Sequence, residues 1–140
     1  MITFEDFDAL AVEVAELLTG RAVVIRWRPP ALIGKIGAVS KFFGKYVIEI
    51  SPELELDQAL KTLLHEVAHI RLHADQIPVS RAAFIPSASR VGDCVKDPEY
   101  YARELEADNL AAFWLDQAEQ ATYMLTPYRL LEALKKLYSQ

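Results

Sequence analysis

The sequence predicts an α+β fold: a small three-stranded sheet, antiparallel or mixed, packed against a helical bundle. One helix of that bundle carries an H-E-x-x-H pattern. Three observations predict this. Apolar residues recur at helical spacing in four separate stretches. Between the first and second of them lie short β-branched runs punctuated by Gly and Pro. And the second contains His65-Glu66-Val67-Ala68-His69.

The bulk properties set bounds. The chain has 140 residues, 52% of them hydrophobic and 25% charged, as expected of one compact domain spanning 1–140. A net charge of −5 argues against direct nucleic-acid binding. One cysteine excludes an intramolecular disulfide. No basic N-terminal segment leads into an apolar run, and no apolar run approaches membrane-spanning length. A cytoplasmic protein without a membrane partner is the expectation.

Residues 3–18 read as an amphipathic helix with Phe7, Leu10, Val14, Leu17 and Leu18 as its apolar stripe. Thr3 is its candidate N-cap and Gly20 the candidate residue past its end. Arg21–Arg28 reads as a strand stopped by Pro29-Pro30. Ala38–Phe43 and Tyr46–Ile50 form a hairpin around Gly44-Lys45, a two-residue turn of the Gly-first type. Tyr46, Ile48 and Ile50 share one face, read as buried. A strand edge beside the site can also pair with an extended peptide, and the sequence does not say which edge is free.

Asp57 is the candidate N-cap of the motif helix. Leu60, Leu63, Leu64, Val67, Ala68, Ile70 and Leu72 make that helix apolar on much of its surface, as in buried helices. Residues four apart share a face, so His65 and His69 can reach one metal ion. Glu66 is placed to act on a water activated by that metal, the chemistry of a zinc site with a general base. All three histidines of the chain lie within residues 65–73, a concentration that packing alone does not explain.

Residues 75–97 read as a long loop holding Cys94, a candidate lid, specificity or partner-binding segment, with a poorly ordered insertion as the alternative. Asp97-Pro98-Glu99 starts a helix that runs to about Glu119. In it Glu104 and Asp108 share a face with Ala107, Ala111, Trp114 and Leu115, expected to be buried, whereas Glu106 points elsewhere. Carboxylates on an apolar face need partners, and a His pair needs a third ligand to make a catalytic zinc site. Thr126-Pro127 starts a last packing helix with Tyr128, Leu131, Leu134 and Leu137 as its stripe.

Together, His65-Glu66-Val67-Ala68-His69-Ile70-Arg71-Leu72-His73 and Glu104-Leu105-Glu106-Ala107-Asp108-Asn109-Leu110-Ala111 resemble the ImmA/IrrE family of metallopeptidases. That family shows H-E-x-x-H-x-x-x-H followed by E-x-E-A-N/D-x-F-A. The resemblance covers roughly residues 20–117. It implies a minimal zincin-like fold, related to the gluzincins, with Zn²⁺ as cofactor. It also implies His65, His69 and Glu104 as metal ligands and Glu66 as catalytic base. Asp108 would orient a ligand histidine from outside the ligand set. Glu106 is the competing third ligand. His73 lies about 12 Å along the helix from His65, too far to share the metal; capping the helix, bonding locally or lining the cleft are its alternatives. Leu110 stands where the family has Phe, and the 75–97 loop is longer than the family pattern. Oxyanion donors remain open among Tyr46, Tyr100, Tyr101, Tyr123, Arg71 and His73.

The function so implied is a regulatory zinc endopeptidase cleaving a protein or peptide partner, such as a separate helix-turn-helix transcriptional repressor. The alternative is a metal-containing, non-catalytic binding protein, an antirepressor or toxin–antitoxin partner. A metal-dependent hydrolase of non-peptide substrates is a third reading.

Overall fold

The computed structural model describes residues 1–30, 35–79 and 98–140. Most of the expected 75–97 loop, with Cys94 and the Asp97 cap, lies outside the described residues. Among these, the architecture is α+β, with four α-helices and a three-stranded mixed sheet. The order is α1 (Phe4–Thr19), β1 (Val23–Trp27), β2 (Gly37–Phe42), β3 (Lys45–Ile50), α2 (Leu56–His73), α3 (Pro98–Ala121) and α4 (Pro127–Tyr138). A 3₁₀ turn, Ala74–Gln76, ends α2.

Helix α1 begins in a capping box in which Thr3 and Asp6 each satisfy the other's backbone N–H, and it ends at Gly20 in the left-handed conformation. Its buried side includes Phe7, Leu10, Val14 and Leu18. Leu17, expected in the stripe, is one of the exposed hydrophobics. It lies about 100° round the helix from Leu18 and overshoots the core.

Strand β3 is central, parallel to β1 and antiparallel to β2. The hairpin turn is Phe43-Gly44, with Phe42 opposite Lys45, rather than the expected Gly44-Lys45. Both turn residues have positive φ, 49° and 77°, as a primed turn of this length requires. Gly44 supplies the second positive φ and Phe43 accepts the first. Exposed Phe43 meets Phe42 edge-on, 4.5 Å between ring centroids, so the pattern that suggested Gly-first pairing gives way to a one-residue shift. The expected face survives: Tyr46, Ile48 and Ile50 are buried, flanked in register by Ile25, Trp27 and Val39.

Helix α2 packs across this face, covered on its other sides by α1 and α3. Its N-cap is Glu55, without a side-chain cap bond, and Asp57 falls in the first turn instead, where a carboxylate favours the helix dipole. Leu60, Leu63, Leu64, Val67 and Ala68 are all buried. Helix α3 packs against α2 and α4, and its buried residues are Ala107, Trp114 and Ala118. Helix α4 closes the core with Leu130, Leu131, Ala133 and Leu134, while Leu137 of the expected stripe is exposed.

Gly37 opens β2 on the buried face, opposite Ile50. A Cβ there would overlap the Thr62 methyl of α2 and lie 3.4 Å from the Glu66 carboxylate. The glycine is therefore needed for close approach. Gly37→Ala is expected to destabilise the fold by about 1–3 kcal/mol, the usual cost of overpacking. Thr62→Ser removes the clashing methyl yet keeps a hydroxyl for the bond to the Gln58 carbonyl. The double variant should recover most of the loss in urea unfolding; strictly additive losses would contradict the contact.

Candidate metal centre

Three successive turns of α2 present His65, His69 and His73 along one stripe, as a four-residue spacing dictates. The ring centroids are 4.7 Å apart for His65 and His69 and 5.3 Å apart for His69 and His73. Helix α3 crosses that stripe with Glu104. One Glu104 oxygen lies 2.8 Å from His65 Nε2, and the other lies 3.0 Å from His69 Nε2. The two Nε2 atoms are 3.2 Å apart. Among the described residues, His65, His69 and Glu104 are the group whose ligand atoms converge closely enough to hold one metal ion.

These contacts determine proton positions. His65 Nδ1 is 2.7 Å from Asp108. A neutral imidazole carries one proton, and the Asp108 carboxylate holds it at Nδ1. His65 Nε2 then offers a lone pair, facing the lone pairs of Glu104 and of His69 Nε2. Such a convergence is repulsive unless a cation sits in it. A proton serves in part, and a metal ion serves fully. Ligands about 2.0–2.1 Å from zinc in a tetrahedron are about 3.3 Å apart. The observed separations are only somewhat shorter, so the donor set fits zinc with a slight opening.

The electrostatics agree. Burial works to lower the His65 imidazole, but the Glu104 hydrogen bond and the charges of Glu66, Glu104 and Asp108 outweigh it and hold the group up at about 9. Burial alone would raise Glu104, yet hydrogen bonds from His65 and His69 hold it far below the usual carboxylate range.

Glu66 is 7% exposed, packed beneath Gly37. Burial pushes its carboxyl up, against the opposing pull of His65, His69 and Lys35. Asp108 meets His65 as expected but is not buried, with its side chain 67% exposed at the rim. The α3 face turns outward there, so only Glu104 of the pair enters the cleft. Glu106 is not in the convergent group; it approaches His73 Nε2 at 3.6 Å.

Lys35, which carries no signal in the sequence, also reaches the site. Its ammonium donates to the Tyr100 hydroxyl at 2.6 Å and lies 5.3 Å from that ring's centroid. Burial tends to lower the ammonium, but the Tyr100 bond, with Glu104 and Glu66, keeps it raised. Lys35 precedes Gly37 by two residues and Tyr100 precedes Glu104 by four. The four-residue spacing puts Tyr100 on the Glu104 side of α3, but only the tertiary fold brings Lys35 to it. Of the other donor candidates, Tyr46 is buried in the sheet, whereas Tyr101 and Tyr123 are exposed.

A pocket between α2 and α3 adjoins His65 and Asp108, lined also by Lys61, Leu64, Ala111 and Leu115. No helix among the described residues is long and apolar enough to cross a membrane. Comparisons with family models, with curated proteins and with solved structures find no match.

Glu104→Ala should lose a tightly bound zinc that Glu106→Ala retains, measured by competition with a chromophoric chelator; the reverse pattern would reassign the ligand. In the metal-free protein, raised His65 contributes stability that is complete below its ordinary 6.5 and lost as pH rises through about 9. Lowered Glu104 contributes above its ordinary 4.5 and loses this as pH falls through its depressed value. Zinc must displace the His65 proton. Loading at neutral pH should therefore release a proton, and affinity should climb toward pH 9. Flat affinity across that range in a weakly buffered titration would contradict the assignment.

Proposed function

We propose that this protein is a zinc-dependent endopeptidase of minimal zincin-like fold, as its resemblance to the ImmA/IrrE family implies. One observation carries the reading: two imidazoles and a carboxylate converge while a second, buried carboxylate, Glu66, stands beside them. A purely structural metal site has no use for Glu66. Buried beneath Gly37 and drawn upward in pKa, it suits a group that must both accept and return a proton near neutral pH.

Zinc, when bound, would supply the Lewis acidity that activates a water and polarises a carbonyl. His65, His69 and Glu104 would hold it. Asp108 would keep the His65 proton on Nδ1, leaving Nε2 free. Glu66 would take a proton from the attacking water and deliver it to the leaving amine. The Lys35 ammonium and Tyr100 hydroxyl, already paired on the cleft wall, are suited to donate to the developing oxyanion.

A peptide substrate is supported by the edge of β2. Lys41 donates its N–H outward to the Pro78 carbonyl. By the alternation of an antiparallel pair, Val39 and Gly37 also turn outward, and among the described residues no backbone partner meets them. An extended chain adding there would pass close to Glu66. The substrate we favour is a protein partner such as a helix-turn-helix repressor, with the enzyme acting in the cytoplasm and making no direct contact with nucleic acid.

The second reading, a metal-containing antirepressor or toxin–antitoxin partner, draws on exposed Tyr101, Leu105 and Phe113 of α3. Glu66→Gln separates the two. It is expected to lower cleavage of a bound protein partner by about 10²–10⁴-fold, the usual contribution of a general base, while zinc content stays unchanged. Full biological effect with Glu66→Gln would favour sequestration.

A further inference from the structure

The proposed mechanism leaves His73 unused, although it is 7% exposed at the end of α2. Its Nδ1 lies 3.1 Å from His69 Nδ1. Its Nε2 is fully enclosed, and among the described residues it has no hydrogen-bond partner within reach. The nearest acceptor is a Glu106 oxygen at 3.6 Å, within ion-pair distance but longer than a hydrogen bond. Burying a polar nitrogen without a partner is costly, so packing alone is a poor account of a histidine here.

The contacts permit two proton arrangements. Two bare nitrogens cannot face each other at 3.1 Å, so one of the Nδ1 atoms carries the proton. If His73 donates, the His69 proton stands on Nε2. There it points at His65 Nε2 and Glu104 and blocks the metal position. If His69 donates, its Nε2 is free, and His73 must hold its own proton on Nε2, aimed at Glu106. Without metal, Glu104 at 3.0 Å attracts a proton to His69 Nε2; once a metal takes that position, a carboxylate beside His73 Nε2 favours the second arrangement.

We propose that His73 is a positioning residue for the metal centre: it accepts the His69 Nδ1–H at its own Nδ1 and directs its Nε2–H toward Glu106, which holds His69 with Nε2 open to the metal. The inference rests on the metallopeptidase reading above. It gives every acid of Glu104-Leu105-Glu106-Ala107-Asp108 a task on the histidine stripe. Glu104 joins the ligands, Asp108 orients His65 directly, and Glu106 orients His69 through His73. Helical phase sends Glu106 away from Glu104, toward the far end of the stripe where His73 extends the reach of α2 by one turn.

The test uses the full chain loaded with Zn²⁺. Long-range ¹H–¹⁵N spectra of the wild-type imidazoles should show His69 protonated on Nδ1 and His73 protonated on Nε2. Chelator competition should show His73→Ala binding zinc about 10–100-fold more weakly, the usual effect of losing an outer partner of a ligand histidine. His73→Asn, whose side-chain carbonyl falls near the lost Nδ1, should restore most of the affinity. His69 bound through Nδ1, or His73→Ala with wild-type affinity, would overturn the proposal. Should His73→Ala fail to fold, the wild-type tautomers and His73→Asn still decide. A wild-type protein that binds no zinc would overturn the metallopeptidase reading and this inference together, whereas normal wild-type binding with an unaffected His73→Ala removes the inference alone.

Discussion

Four lone-pair-bearing atoms face one another at the junction of α2 and α3: Nε2 of His65, Nε2 of His69 and both oxygens of Glu104, with contacts of 2.8–3.2 Å. Their lone pairs repel unless a proton or a metal ion lies between them. The wider geometry serves that constraint. Asp108 keeps the His65 proton on the outer nitrogen. Glu66 and Glu104 add negative charge on the inner side. The same charges that hold His65 protonated at about 9 without metal would favour a divalent cation in its place.

The fold makes such a cluster tolerable. Placing two histidines and a glutamate on a helix buried by sheet and bundle would ordinarily be costly. Here that helix is anchored by Leu60, Leu63, Leu64 and Val67, each at most 2% exposed. Fully burying such a side chain contributes about 1.5–3 kcal/mol. Gly37 lets β2 close over Glu66, and the packing of α3 on α2 brings Glu104 to both imidazoles. The apolar contacts are thus the support on which the polar cluster is held.

Much of this was legible in the sequence because it is local. The Thr3 N-cap, the Gly20 terminus, Pro98 and Pro127 at helix starts, and the four-residue spacings of His65/His69 and Glu104/Asp108 depend on neighbours in the chain. What depends on distant partners was not legible. The hairpin shifted by one residue, because Phe43 tolerates a positive φ that Gly44 was expected to supply first. Leu17 and Leu137 fit helical stripes but lie beyond the core they were assigned to. The central place of β3, parallel to β1, the exposure of Asp108 and the Lys35–Tyr100 bond all arise from how elements meet. A lone lysine before a glycine carries no sequence signal of that kind.

X-ray absorption at the zinc edge of the loaded wild-type protein would test the centre most directly. Ligation by His65, His69 and Glu104 is expected to give a shell of nitrogen and oxygen ligands at about 2.0–2.1 Å with the multiple scattering of two imidazoles. A sulfur shell at about 2.3 Å, or an oxygen-only shell without imidazole scattering, would contradict it.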